Sequence, residues 1–159
     1  MRTGLTRRAL AAVLTSAPAL RLATGARAAD LPKMVVTKDP NCGCCAGWAE
    51  HVRAAGFPVE VVETGDLNRV KTRLGVPRDL AGCHTAEVGG YVIEGHVPAG
   101  AIRRLLAEKP AAVGLAVPGM PVGSPGMEVE GSAPETYDVI LFGSGGRRRF
   151  ARFEGAREL

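Results

Sequence analysis

The sequence predicts an α/β domain: a mixed β-sheet flanked by helices and ending in a C-terminal β-hairpin. Three observations predict it. Short runs rich in β-branched residues alternate with helix-period segments from residue 33 to residue 108. The pair Gly89-Gly90 separates two such runs, the signature of a two-residue hairpin turn. Two further strand-like runs lie either side of Ser144-Gly145-Gly146 near the end of the chain. With 159 residues and 46% hydrophobic composition, the chain is long enough for one domain with a real core.

The elements follow in order. Residues 33–38 (KMVVTK) form a strand, which Asp39-Pro40-Asn41 breaks. Residues 42–55 turn from loop into helix, with Ala46, Trp48, Ala49, Val52 and Ala55 as apolar positions and Gly56 as the stop. Trp48, the single tryptophan, is expected to pack this helix onto the sheet. Residues 58–63 (PVEVVE) alternate as a second strand. Asp66 is the expected N-cap of a helix through Leu74, with Leu67, Val70 and Leu74 at helical spacing. Residues 85–88 and 91–94 flank the Gly-Gly turn. Residues 98–108 form a third helix with Pro98 in its first turn and Ile102, Leu105 and Leu106 facing the core. Residues 111–134 are rich in Gly and Pro, show no period and predict a long ordered loop, a length often tied to function. Residues 137–142 and 147–153 make the terminal hairpin, followed by a frayed end. The order β-α-β-α-β-β-α is that of a thioredoxin-like mixed sheet.

The formal charge of +4 is concentrated at the start. Arg2, Arg7, Arg8, Arg21 and Arg27 lie in the first 28 residues, which hold no acid, so the remainder carries −1. Residues 1–28 read as an export signal: Arg7-Arg8, then a mostly apolar run over residues 9–20, then Ala26-Arg27-Ala28 as a small-x-small cleavage rule with the cut near Ala28. Thr6-Arg7-Arg8-Ala9-Leu10 resembles a twin-arginine signal, which implies a periplasmic destination reached in the folded state. The remaining domain, residues 29–159, is nearly neutral and only 4% of the chain is aromatic, so nothing predicts a nucleic-acid partner. No apolar stretch is long enough to span a bilayer, so no transmembrane segment is expected in the mature chain. Arg147-Arg148-Arg149 reads as a solvated hairpin face.

The chemistry lies in the cysteines. Cys42, Cys44 and Cys45 fall within four residues at the start of the first helix, and Cys83 lies beyond the second. An even count in an exported protein allows two disulfides, but a cluster this tight staples no long loop. A helix N-terminus favours thiolate over thiol, the form that binds metal and attacks disulfides. Gly43 lets the chain turn so that neighbouring sulfurs converge. The spacing matches neither paired CxxC zinc motifs nor ferredoxin runs. Adjacent thiolates can bridge several Cu(I) ions, and Met120 and Met127, in a Gly/Pro-rich stretch, add soft thioethers. His84 and His96 are further candidate ligands, and His51 reads as an exposed or half-buried helix residue.

These residues resemble the CopG family of small exported proteins linked to copper resistance, whose domain is catalogued as domain of unknown function 411. The resemblance covers residues 33–153. It rests on Thr37-Lys38-Asp39-Pro40 leading into Cys42-Gly43-Cys44-Cys45-Ala46-Gly47-Trp48, then Cys83-His84-Thr85, then residues 91–98 (YVIEGHVP) and residues 119–128 (GMPVGSPGME). It implies a thioredoxin-like fold, a periplasmic location and a cysteine-bridged multicopper site in which Cys42, Cys44, Cys45 and Cys83 supply sulfur.

Three functional readings follow. The leading one is an exported protein that holds Cu(I) for copper resistance or transfer, with copper ions and other periplasmic copper-handling proteins as partners. The second is a periplasmic thiol–disulfide oxidoreductase, since Cys42-x-x-Cys45 has redox spacing. The third is a disulfide-held domain with a partner-binding loop. No P-loop, dinucleotide fingerprint or nucleophile elbow points to other catalysis.

Overall fold

The computed structural model describes Met1 and residues 30–159. Apart from Met1, the predicted export signal lies outside the described residues. Strand β1 (Met34–Lys38) leads into helix α1 (Gly43–Ala54), then strand β2 (Val59–Glu63), helix α2 (Leu67–Arg73) and a 3₁₀ turn (Arg78–Leu80). Strands β3 (His84–Val88) and β4 (Tyr91–Glu94) precede helix α3 (Ala99–Glu108). Strands β5 (Gly114–Ala116), β6 (Thr136–Gly143), β7 (Gly146–Glu154) and β8 (Arg157–Glu158) complete the chain.

The eight strands of the described residues form one sheet in the order β2-β1-β3-β4-β5-β6-β7-β8. Its first half has the predicted thioredoxin-like arrangement: β1 parallel to β2, β3 antiparallel to β1 and β4 antiparallel to β3. Local signals explain the turns. Gly89 and Gly90 both take positive φ (55° and 85°), as the tight β3–β4 turn demands. The Asp66 carboxylate accepts the Arg69 N–H and caps α2.

Alternation along the strands sorts the helices onto two faces. Ile93 and Leu115 join Trp48 and Val52 of α1 and Ile102 and Leu105 of α3 in the main core. Their neighbours Val92 and Ala116 face the other way, onto Val76 and Leu80, which follow α2. Helix α2 departs from expectation: its buried residue is Lys71, while Leu67, Val70 and Leu74 are only half-buried. Pro98 is the N-cap of α3 rather than a residue of its first turn.

Two more expectations are corrected. Residues 111–134 contain a strand, β5, which pairs parallel with β4 and antiparallel with β6. Three residues are too few to show a period, yet all three are buried. Gly114 is required there, because a Cβ at that position would lie 1.7 Å from the Val92 carbonyl oxygen. The chain end is also paired: Arg157 and Glu158 form β8 against β7. Among the described residues, no helix is long and apolar enough to cross a membrane.

Candidate metal centre

One end of the sheet gathers every cysteine. Strand β1 ends at Lys38, which pairs with His84 at the start of β3, so the Cys42 loop and the Cys83 loop leave the sheet side by side. Strand β4 ends at Glu94, opposite Thr85, and delivers His96 to the same place. The Asp39-Pro40-Asn41 turn is held from within: Lys38, only 6% exposed, donates from Nζ to the carbonyls of Asp39 (2.9 Å) and Pro40 (3.2 Å). Cys42 is the N-cap of α1.

The predicted sulfur set converges. The Sγ atoms of Cys42, Cys44, Cys45 and Cys83 all lie within 4.8 Å of one another. Cys44 Sγ is 3.5 Å from Cys42 Sγ and 3.8 Å from Cys83 Sγ. The structure corrects the view of them as four free thiols: Cys42 and Cys45 form a disulfide, and Cys44 and Cys83 are free. Three residues of separation suit this bond, whereas the vicinal pair Cys44-Cys45 stays open. Cys83 lies outside the α1 N-terminal segment, just before β3. Burial, reinforced by the nearby Cys44, pushes its thiol up to about 12.

The histidines divide. His96 is fully buried, and its Nε2 lies 3.0 Å from Cys83 Sγ. Its Nδ1 lies 2.8 Å from the Pro125 carbonyl, which only accepts, so that contact places the proton on Nδ1. The Nε2 lone pair therefore faces the sulfur. His84 Nδ1 lies 3.6 Å from Cys83 Sγ, its Nε2 is buried with no hydrogen-bond partner among the described residues, and its ring packs 4.3 Å from that of Trp48. Cys83, His84 and His96 thus form a second donor group that shares Cys83. His51 is a half-buried helix residue, as expected, and its Nε2 accepts the Ala99 N–H at 3.2 Å, satisfying a donor at the start of α3.

The Gly/Pro-rich loop reaches the site through its main chain. A Cβ on Gly126 would lie 2.6 Å from the Trp48 amide nitrogen and 2.7 Å from the Cys44 carbonyl oxygen. Gly47 meets the loop from the other side, 3.2 Å from Gly126 Cα by the same measure. Of the predicted thioether ligands, Met127 is half-buried and Met120 is 54% exposed. Sequence reasoning missed Lys71, Glu94 and Thr85, which form a buried hydrogen-bonded group beside Cys83. The available signal was a lysine on the stripe between Leu67 and Leu74 and a carboxylate closing an apolar strand.

Acid should destabilise the metal-free protein. Burial lowers the pKa of His51, His84 and His96 below the ordinary value of 6.5. The unfolded chain then binds more protons than the folded one, so the linked stability is complete above pH 6.5 and is lost as pH falls through the folded values. The expected slope is about 1.4 kcal/mol per pH unit for each histidine still neutral when folded. Denaturant melts between pH 7 and pH 5 check it; a flat profile would show that these rings protonate freely in the fold.

Comparisons with known proteins agree with this geometry. A family model described as a protein of unknown function, DUF411, matches residues 80–127, the segment from the 3₁₀ turn through Met127. A solved structure described as copper resistance protein CopG, form 2, matches at 42% identity and a TM-score of 0.72, covering 77% of this chain and 98% of that one. A second, form 1 of the same protein, matches at 42% identity and a TM-score of 0.72, over 79% of this chain and 99% of that one. No curated protein matches. On the strength of the identity and near-complete coverage of that relative, the chain belongs to the CopG-like DUF411 family.

Proposed function

We propose that this protein binds copper and holds it as Cu(I) on Cys42, Cys44, Cys45 and Cys83, in a cysteine-bridged multicopper site for copper resistance or transfer. One observation carries the reading: four sulfurs lie within 4.8 Å of one another in a chain that spans 98% of a copper resistance protein at 42% identity. Thiolates are soft donors that suit Cu(I) and can bridge more than one ion. Loading on all four sulfurs first requires an external dithiol to reduce the Cys42–Cys45 bond, giving two thiols here as the dithiol becomes a disulfide. His96 offers a neutral nitrogen already oriented by Pro125, and His84 offers a second beside Cys83. Proton release accompanies binding at each thiol, so affinity falls with falling pH. A periplasmic location, reached through the signal at residues 1–28, fits a copper cargo and copper-handling partners.

The test is anaerobic Cu(I) titration of the reduced, signal-free protein, counting metal per chain and free thiols in parallel. More than one tightly held copper per chain, with thiols protected, supports the reading. Absence of stable copper sinks it. Met120→Leu combined with Met127→Leu should weaken Cu(I) binding by roughly tenfold and leave the melting temperature unchanged. Undiminished affinity would remove the loop's thioethers from the site.

The Cys42–Cys45 disulfide favours a second reading, periplasmic thiol–disulfide exchange. The bond sits at the N-terminus of α1, with the free Cys44 Sγ 3.5 Å from Cys42 Sγ. Metal-independent reduction of a disulfide substrate by the dithiol form, with Cys42 and Cys45 reoxidised, would support this reading over the first.

A further inference from the structure

A buried charged cluster stands directly behind the Cys83–His96 pair. Glu94 is fully buried. Its Oε1 accepts from Lys71 Nζ at 2.5 Å and from the Gly82 N–H at 2.7 Å, and its Oε2 accepts from the Thr85 hydroxyl at 2.7 Å. Lys71 Nζ also donates to Thr85 Oγ1 at 2.9 Å. Ion pairs buried in this way seldom stabilise a fold more than apolar side chains of the same shape would. Stability therefore gives little reason for this one.

Position gives a better reason, because each hydrogen bond ends beside the candidate centre. Gly82 precedes Cys83, Thr85 follows His84, and Glu94 lies two residues before His96. Gly82 and Gly95 approach so closely that a Cβ on Gly82 would lie 2.8 Å from Gly95 Cα. Gly95 N–H in turn donates to the His84 carbonyl at 3.1 Å. The carboxylate thus ties the loop that carries Cys83 to the strand end that carries His96. Without it, the Gly82 N–H has no such partner and the loop is free to shift.

We propose that Glu94 is a positioning residue that holds Cys83 against His96 by fixing the Gly82 N–H, with Lys71 balancing its buried charge. The purpose of that placement rests on the copper reading; the placement itself is measured without metal. Strand β4 supplies the clamp and helix α2 its counter-charge, 23 residues apart in the chain.

The experiment uses the signal-free chain with Cys44→Ser and the Cys42–Cys45 bond intact, so that Cys83 is the free thiol. Its alkylation by iodoacetamide is followed at fixed pH, below the melting temperature of each variant, with melting measured in parallel. Lys71→Met/Glu94→Leu removes the charges and the clamp; Lys71→Met/Glu94→Gln removes the charges and keeps an oxygen for Gly82. The first should speed alkylation by about tenfold or more, and the second should stay close to the reference rate. Equal rates in the two variants, or a reference rate in the first, overturn the proposal. If the first variant fails to fold, Thr85→Val, which loosens the carboxylate with a residue suited to a strand, should also speed alkylation, and an unchanged rate overturns the proposal. With all four cysteines present, the Leu variant should weaken Cu(I) binding by about tenfold and the Gln variant should not. If the wild-type protein binds no Cu(I), the copper reading falls and the alkylation rates alone judge the clamp.

Discussion

Replacing Cys83 with serine should remove most of the Cu(I) capacity of the reduced protein while leaving its fold intact. Cys83 is the joint of the centre: its sulfur lies 3.8 Å from Cys44 Sγ, 3.0 Å from His96 Nε2 and 3.6 Å from His84 Nδ1. A serine oxygen is smaller and hard, a poor donor for Cu(I). Loss of an outer-shell partner alone typically weakens metal binding by about 10–100-fold, so loss of this sulfur should exceed about 100-fold. Because Cys83 takes no part in the Cys42–Cys45 bond, the metal-free melting temperature should hold. Competition against a Cu(I) chelator measures the effect. Cys42→Ser and Cys45→Ser should cost most of the copper as well, and retained stoichiometry in all three would sink the cluster model.

Trp48→Ala should be the most destabilising single change near the site. The indole is fully buried in the main core, its Nε1–H donates to the Val97 carbonyl at 2.9 Å, and its ring lies against His84. Removing a buried tryptophan typically costs about 3–5 kcal/mol in lost burial and cavity. The Val97 carbonyl is left unpaired in addition. For a domain of this size the melting temperature should fall by roughly 10–20 °C. A drop of only a few degrees would mean that the loop around Gly126 closes into the space.

The sequence was legible where structure is set by neighbours. The β3–β4 turn follows from two adjacent glycines, the α2 cap from Asp66, and the start of α1 from the break at Asp39-Pro40. The gathering of four cysteines was legible because the thioredoxin-like strand order places the β1–α1 loop beside the start of β3. Distant pairings were not legible. Lys71 is buried only because Glu94, 23 residues later, neutralises it, and a helical period cannot show that. Strand β5 exists because β4 and β6 both offer it a ladder. Its own three residues carry no pattern. The Cys42–Cys45 bond was half legible: the spacing allowed it, but the choice among four close sulfurs belongs to the fold.

The same β5 has a consequence for association between copies. A chain ending before Thr136 would leave β5 as the border of the sheet, buried at every position in the native fold, uncharged and free of proline. Such a border recruits strands from other molecules. The C-terminal hairpin covers it and replaces it with a different border. Among the described residues, β8 pairs with Phe153 and Glu154, Leu159 N–H reaches the Arg152 carbonyl and Arg104 the Phe150 carbonyl. The exposed side chains of β7 are Arg147, Arg148, Arg149 and Arg152. Arg147 pairs with Asp79 and Arg152 with Asp138, while charged side chains on an edge strand disfavour edge-to-edge pairing. A border of arginines is less suited to recruiting a strand from another copy than the buried, uncharged β5 would be.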